Sequence, residues 1–131
     1  MQIDLTLDTN LARQILTGFI HKEITRTGFS RAVIGLSGGL DSALSCWLAA
    51  EALGPQNVLA VRMPYKTSSE ESLDHAGLVI TALGVQSLTI PITDMADPLI
   101  ERFPDMNAMR KGNIMARLRM VVLYDQSAAF N

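Results

Sequence analysis

Eight consecutive residues, Gly35-Leu36-Ser37-Gly38-Gly39-Leu40-Asp41-Ser42, place small, hydroxylic and acidic groups in an order suited to gripping a phosphate. Adjacent glycines lack a Cβ, so the main chain can turn tightly and approach a ligand. If a helix starts just after them, its first N–H groups are unpaired and its dipole favours an anion. Ser37 and Ser42 add hydroxyl donors. Where a Walker loop ends Gly-Lys-Ser/Thr, this loop reads Leu40-Asp41-Ser42. A carboxylate beside a phosphate repels it unless a cation lies between them. Asp41 is therefore the candidate ligand for Mg²⁺, an ion held by few carboxylates together with phosphate oxygens. The plainer alternative is a tight Gly38-Gly39 turn followed by an ordinary acidic residue in the first turn of a helix.

Two further stretches carry usable charge. Arg62-Met63-Pro64-Tyr65-Lys66-Thr67-Ser68-Ser69 follows an apolar run, and Lys111-Gly112-Asn113-Ile114-Met115-Ala116-Arg117-Leu118-Arg119-Met120 opens another. Arg117 offers a planar fork matched to phosphate or carboxylate. Tyr124 lies seven residues on, two helical turns, so the pair shares one helix face. Against these readings stand a solvated strand-end charge for Arg62 and a solvated basic face for Lys111, Arg117 and Arg119. His21 and His75 fall on predicted helices as surface residues, and no acid–base dyad is evident. Cys46, the single cysteine, excludes an intrachain disulfide and sits in an apolar helical run as a small buried hydrophobe.

The elements that must position these groups alternate. Leu11, Ile15, Leu16, Phe19, Ile20 and Ile24 recur at helical spacing after an extended start over residues 1–10, with Asp8, Thr9 or Asn10 as cap and Gly28 as stop. Residues 32–36 read as a buried strand entering the glycine loop, and a helix runs on through Leu53 to Gly54-Pro55. A second strand covers 58–63. Ser68 and Glu71 have capping-box spacing for a third helix ending at Gly84. A third strand is predicted over 88–92, a short helix over 95–103, and a longer helix from 113 to about 127. Strands alternating with helices predict an α/β fold, a Rossmann-like parallel sheet with helices on both faces. In such sheets ligands sit beyond the carboxyl ends of the strands, which puts Arg62 and the glycine loop on one edge.

Composition narrows the function classes. The 131 residues are 48% hydrophobic and 18% charged, a folded one-domain balance. A net charge of −2 gives no general surface for nucleic acid or anionic membrane. The amino terminus carries Asp4 and Asp8 and lacks the basic region of a signal peptide, and no run approaches the roughly 20 apolar residues of a membrane span. A cytoplasmic protein is expected.

The loop resembles the SGGxDS motif of the PP-loop ATP pyrophosphatases, whose fold is adenine nucleotide alpha hydrolase-like. In that superfamily the loop grips the pyrophosphate part of ATP, and cleavage falls between the α and β phosphates. The superfamily alternatives include other adenylating enzymes, such as those that modify tRNA. Arg62-Met63-Pro64-Tyr65 is similar to the Arg-Met/Leu-Pro-Tyr segment of NAD synthetases, where the arginine lies near the adenine. Residues 111–120 closely resemble the K-G-N-x-x-A-R-x-R-M segment of the same family. The resemblance implies that Gly35, Leu36, Ser37, Gly38, Gly39, Leu40, Asp41, Ser42 and Arg62 bind ATP, that Asp41 holds Mg²⁺, and that Arg117 and Tyr124 bind deamido-NAD. It implies ammonia-dependent amidation of deamido-NAD to NAD through an adenylated intermediate, with release of AMP and pyrophosphate, in a homodimer whose deamido-NAD site lies at the subunit interface. Family members continue into a fourth strand and a second ATP-binding stretch, which supplies a threonine to ATP and a glutamate to Mg²⁺. On this resemblance residues 1–131 form one incomplete domain of the ammonia-dependent type. The expected strand order 3-2-1-4 then leaves the first strand at an edge. A non-catalytic nucleotide-binding or dimerisation fragment is the rival reading.

Overall fold

In the computed structural model, which describes residues 6–131, the sheet is organised around one enclosed strand. Strand β2 (Val58–Arg62) lies between β1 (Ala32–Gly35) and β3 (Gln86–Thr89), and both pairings are parallel. Ala32 sits opposite Val58, and Leu59 opposite Gln86. The helices are α1 (Thr9–Arg26), α2 (Leu40–Leu53), α3 (Glu70–Leu83), α4 (Thr93–Ile100) and α5 (Ala108–Ala129). This is the expected α/β architecture, with β1 at one edge of the sheet.

Side chains on a strand alternate between faces, and β2 uses both. Val58 and Ala60 pack with Cys46, Ala49 and Ala50 of α2 and Ala76 of α3. Leu59, Val61 and the following Met63 pack on the opposite face with Val122 of α5 and with Ile92. The alanines on the first face leave no bulk between helix and sheet, so α2 lies close behind the strand it follows. Cys46 is fully buried there, and burial pushes its thiol pKa up, which suits the packing role expected of it.

Several expectations need adjusting. The Asp8 carboxylate accepts from Leu11 N–H and caps α1, as anticipated, but no residue of that helix is buried. Helix α1 rides on α2 rather than on the sheet, tied by Arg13 Nε to Glu51 at 2.7 Å, and its Leu11, Ile15 and Phe19 stay exposed. The expected extended start over residues 1–10 lies half outside the described residues, and helix has begun by Thr9. Ser69, not Ser68, caps α3 by accepting from Ser72 N–H at 3.2 Å, while the Ser68 hydroxyl accepts from Tyr65 N–H.

The others concern strand and helix ends. β3 begins at Gln86 and its side chains are exposed, because pairing with β2, not its own hydrophobicity, sets its position. The apolar run read as strand continues past it, with Ile90 N–H donating to Arg62 C=O and Ile92 N–H to Pro64 C=O. α4 ends at Ile100, short of Phe103. α5 starts five residues before Asn113, capped by the Asn107 side chain on Arg110 N–H, and passes straight through Gly112.

Candidate functional site

The carboxyl end of β1 turns directly into the glycine loop. Leu36 N–H still donates to Val61 C=O at 2.9 Å, and the next residues leave the sheet. Gly38 has φ +85°, a conformation that glycine adopts freely, whereas Gly39 sits at φ −84°, ψ 159° and needs no glycine for its backbone. A Cβ on Gly38 would lie 2.1 Å from the Ser72 carbonyl oxygen, so the loop is pressed against the first turn of α3.

The two serines hold the loop's shape. The Ser42 hydroxyl donates to Gly39 C=O at 3.0 Å and accepts from Ser37 N–H at 3.2 Å. With that proton spent, the Ser37 hydroxyl is the donor in the 2.9 Å bond between the two, and it accepts from Gly39 N–H. Both hydroxyl protons are therefore engaged within the loop, where the sequence had suggested free donors. The donors left over are main-chain ones. The N–H groups of Gly38, Leu40, Asp41 and Ser42 meet no acceptor among the described residues. Asp41 lies exposed in the first turn of α2, and among the described residues its carboxylate has no hydrogen-bond or ion-pair partner.

A cavity of about 390 Å³ opens beside the loop. Gly35, Leu36 and Ser37 form one wall, and Arg62, Met63 and Pro64 at the end of β2 a second. Ser68, Ser72 and Leu73 come from the start of α3 and the turn before it, while Arg119 and Leu123 come from α5. Such a volume falls within the usual range for small-molecule sites, roughly 300–1,000 Å³. Arg62 is half-buried, its Nη1 lies 3.9 Å from where a Gly77 Cβ would stand, and its buried Nε has no hydrogen-bond partner.

The predicted site residues thus separate into three groups. Gly35, Leu36, Ser37 and Arg62 share the cavity. Gly38, Gly39, Leu40, Asp41 and Ser42 follow Ser37 into the start of α2 and do not line the cavity. Arg117 and Tyr124 lie elsewhere, on the face of α5 turned away from the sheet, with Tyr124 72% exposed. Met120 and Val121 are exposed on the same side, while Val122 packs inward.

Two participants were not legible beforehand. Arg119, to which the sequence gave no role beyond the rival reading of a solvated basic face, is half-buried and donates through Nε to Met63 C=O at 3.1 Å. Its signal was present in the helical period, since it lies four residues from Met115 and Leu123 and three from Val122, all on the sheet-facing stripe. The second is Asp97 of α4. One of its oxygens accepts from the Tyr65 hydroxyl at 2.7 Å and the other from Lys66 Nζ at 2.6 Å, pinning the segment after β2. The Lys66 hydrogen bond, then that of Tyr65, holds the Asp97 carboxyl below its usual pKa.

A parallel sheet whose first strand ends in a glycine loop, with free amides on the following helix and an arginine cavity beside it, defines a phosphate-loop α/β nucleotide-binding protein. Comparison with known proteins takes this further. The family model described as NAD synthase matches residues 12–131, and the chain belongs to that family. The NH(3)-dependent NAD(+) synthetase of Trichlorobacter lovleyi is 56% identical over 126 residues, 96% of this chain and 46% of the relative. That of Chlorobaculum parvum is 54% identical over 125 residues, 95% of this chain and 45% of the relative. The chain spans about half the length of the curated relatives it matches. Among solved structures, an NH3-dependent NAD synthetase from Campylobacter jejuni superposes with a TM-score of 0.89 at 32% identity, over 96% of this chain and 55% of that one. An NMN synthetase from Francisella tularensis gives 0.87 at 27% identity, over 96% and 52%. Among the described residues no helix is long and apolar enough to cross a membrane.

Proposed function

We propose that this chain supplies the ATP-binding part of an ammonia-dependent synthetase that amidates deamido-NAD to NAD through an adenylated intermediate, releasing AMP and pyrophosphate. The observation that carries the reading is the set of unpartnered amides opening α2, set beside a cavity bounded by Arg62. The loop amides hold the β and γ phosphates, and the nucleoside enters the cavity. Asp41 suits Mg²⁺, because its exposed carboxylate has no other partner at the loop and this ion needs few carboxylates when phosphate oxygens complete its shell. Bound there, Mg²⁺ supplies charge neutralisation for the pyrophosphate leaving group.

Little acid–base work is asked of the protein. Attack by a carboxylate on the α-phosphate needs alignment and offset charge, and both can come from fixed donors. Arg117 and Tyr124 bind deamido-NAD, and their exposed face of α5, with Met120 and Val121 between them, serves as the interface of a homodimer. The expected setting is cytoplasmic.

The test measures ammonia-dependent NAD formation from deamido-NAD, together with calorimetric binding of ATP with Mg²⁺. Binding of ATP is the expected result for this chain, with turnover where the family's second ATP-binding stretch is also present, and nicotinate mononucleotide offered as a competing acceptor reports acceptor choice. Binding of ATP without any amide product would reduce the chain to a nucleotide-binding module. Failure to bind ATP or pyrophosphate would overturn the reading altogether.

A further inference from the structure

Resting on that reading of the site, we infer that Arg119 is the residue that meets the α-phosphate of the bound nucleotide, the phosphorus at which the reaction occurs. The ladder between β1 and β2 is broken at the glycine loop. Leu36 N–H donates to Val61 C=O, and period-two pairing would give Met63 C=O to the N–H of residue 38. The chain has turned away by then, with Gly38 at φ +85°. Met63 C=O is left facing the gap between strand and loop, and a buried carbonyl without a donor is costly. Arg119 Nε fills the vacancy at 3.1 Å.

The bond fixes the guanidinium beside the end of β2, in the wall of the cavity. Nε is committed to Met63, and among the described residues neither Nη atom has a hydrogen-bond or ion-pair partner. Leu123, one turn further along α5, lies 3.3 Å from where a Gly35 Cβ would stand, which seats the helix firmly on the end of β1. The cavity wall contains Arg62 and Arg119 and no carboxylate. Two half-buried cations without a counter-charge call for an anion between them. On that reading the β and γ phosphates belong to the loop amides beyond Ser37, and the nucleoside is neutral. The anionic group left for the inner cavity is the α-phosphate.

The experiment compares affinities of the protein for ATP, AMP, adenosine and inorganic pyrophosphate by calorimetry, with circular dichroism and thermal midpoints recorded in parallel. In Arg119→Gln, ATP and AMP should bind about 10- to 150-fold more weakly, as loss of a charged hydrogen bond implies. Adenosine and pyrophosphate should change less than about twofold, since neither uses a lost α-phosphate contact. Arg119→Lys keeps the cation without the fork and should recover most of the AMP affinity. If Arg119→Gln loses its fold, Arg119→Lys carries the test through a smaller drop confined to ATP and AMP. Unchanged AMP affinity overturns the inference, as does an equal loss for all four ligands in step with a lower thermal midpoint, which would make Arg119 only a strut. If the unsubstituted protein binds neither ATP nor pyrophosphate, the proposed function itself has failed. If it binds both and Arg119→Gln still binds AMP normally, the Arg119 assignment alone has failed.

Discussion

Replacing Gly38 and Gly39 by alanine, one at a time, tests whether the loop is built as described, because the structure asks opposite things of them. At Gly38 the backbone has φ +85°, where an L-residue costs about 1–2 kcal/mol. The new methyl would also stand 2.1 Å from the Ser72 carbonyl oxygen, 2.7 Å from its carbon and 2.8 Å from its Cα. These are main-chain atoms at the start of α3, so no side-chain rotation relieves the overlap and the loop must part from the helix. Overpacking of this kind costs roughly 1–3 kcal/mol, bringing the expected loss to about 2–5 kcal/mol. Against a typical total stability of about 5–15 kcal/mol the Gly38→Ala protein still folds under mild conditions, with a midpoint lowered by roughly 8–20 °C. Gly39 has φ −84°, and its Cβ would meet only the Ser37 hydroxyl at 3.4 Å. Gly39→Ala should change stability by less than about 1 kcal/mol, since alanine also restricts the unfolded chain. Thermal melts followed by circular dichroism compare the two. Equal midpoints, or a Gly39→Ala protein less stable than Gly38→Ala, would refute the geometry on which the loop assignment rests.

Asp41→Asn should abolish the gain in ATP affinity that Mg²⁺ gives while leaving the circular dichroism spectrum unchanged; a surviving Mg²⁺ effect removes Asp41 from the metal site. The Asp97 carboxyl has a lowered pKa in the folded protein, so its bonds to Tyr65 and Lys66 are complete above the ordinary value of 3.8 and are lost as pH falls through the lowered one. Nuclear magnetic resonance signals of Tyr65 should therefore show a single step below pH 3.8, absent in Asp97→Asn, and a step at or above that pH would count against the clamp. Light scattering at micromolar concentration should report a dimer, and Val121→Asp, which charges a position 58% exposed on the outer face of α5, should give a folded monomer. A monomeric parent protein would remove α5 as the interface.

The glycine loop, its place between strand and helix, and the alternation that makes the sheet parallel were all readable from the chain. Each depends on neighbours in sequence: Gly38-Gly39 ahead of an apolar helical run, Asp8 ahead of α1, and Gly84 behind α3. Local preferences decide such features before anything packs. Ends and faces were less secure. The β3 run slipped toward its amino end because the register with β2, Leu59 opposite Gln86, is a contact between distant segments. The apolar spacing of α1 predicted a helix without naming its partner, and that helix lies on α2. The helical period set Arg117 and Arg119 on different faces of α5, and tertiary packing decided which face meets the sheet. Arg117 and Arg119 stand two residues apart with the same charge, and a helix turns about 200° between them. Which of them faces the sheet depends on where Val122 and Leu123 find room beside Met63 and Gly35, so packing against β1 and β2 sends Arg119 into the cavity beside the glycine loop and leaves Arg117 outside.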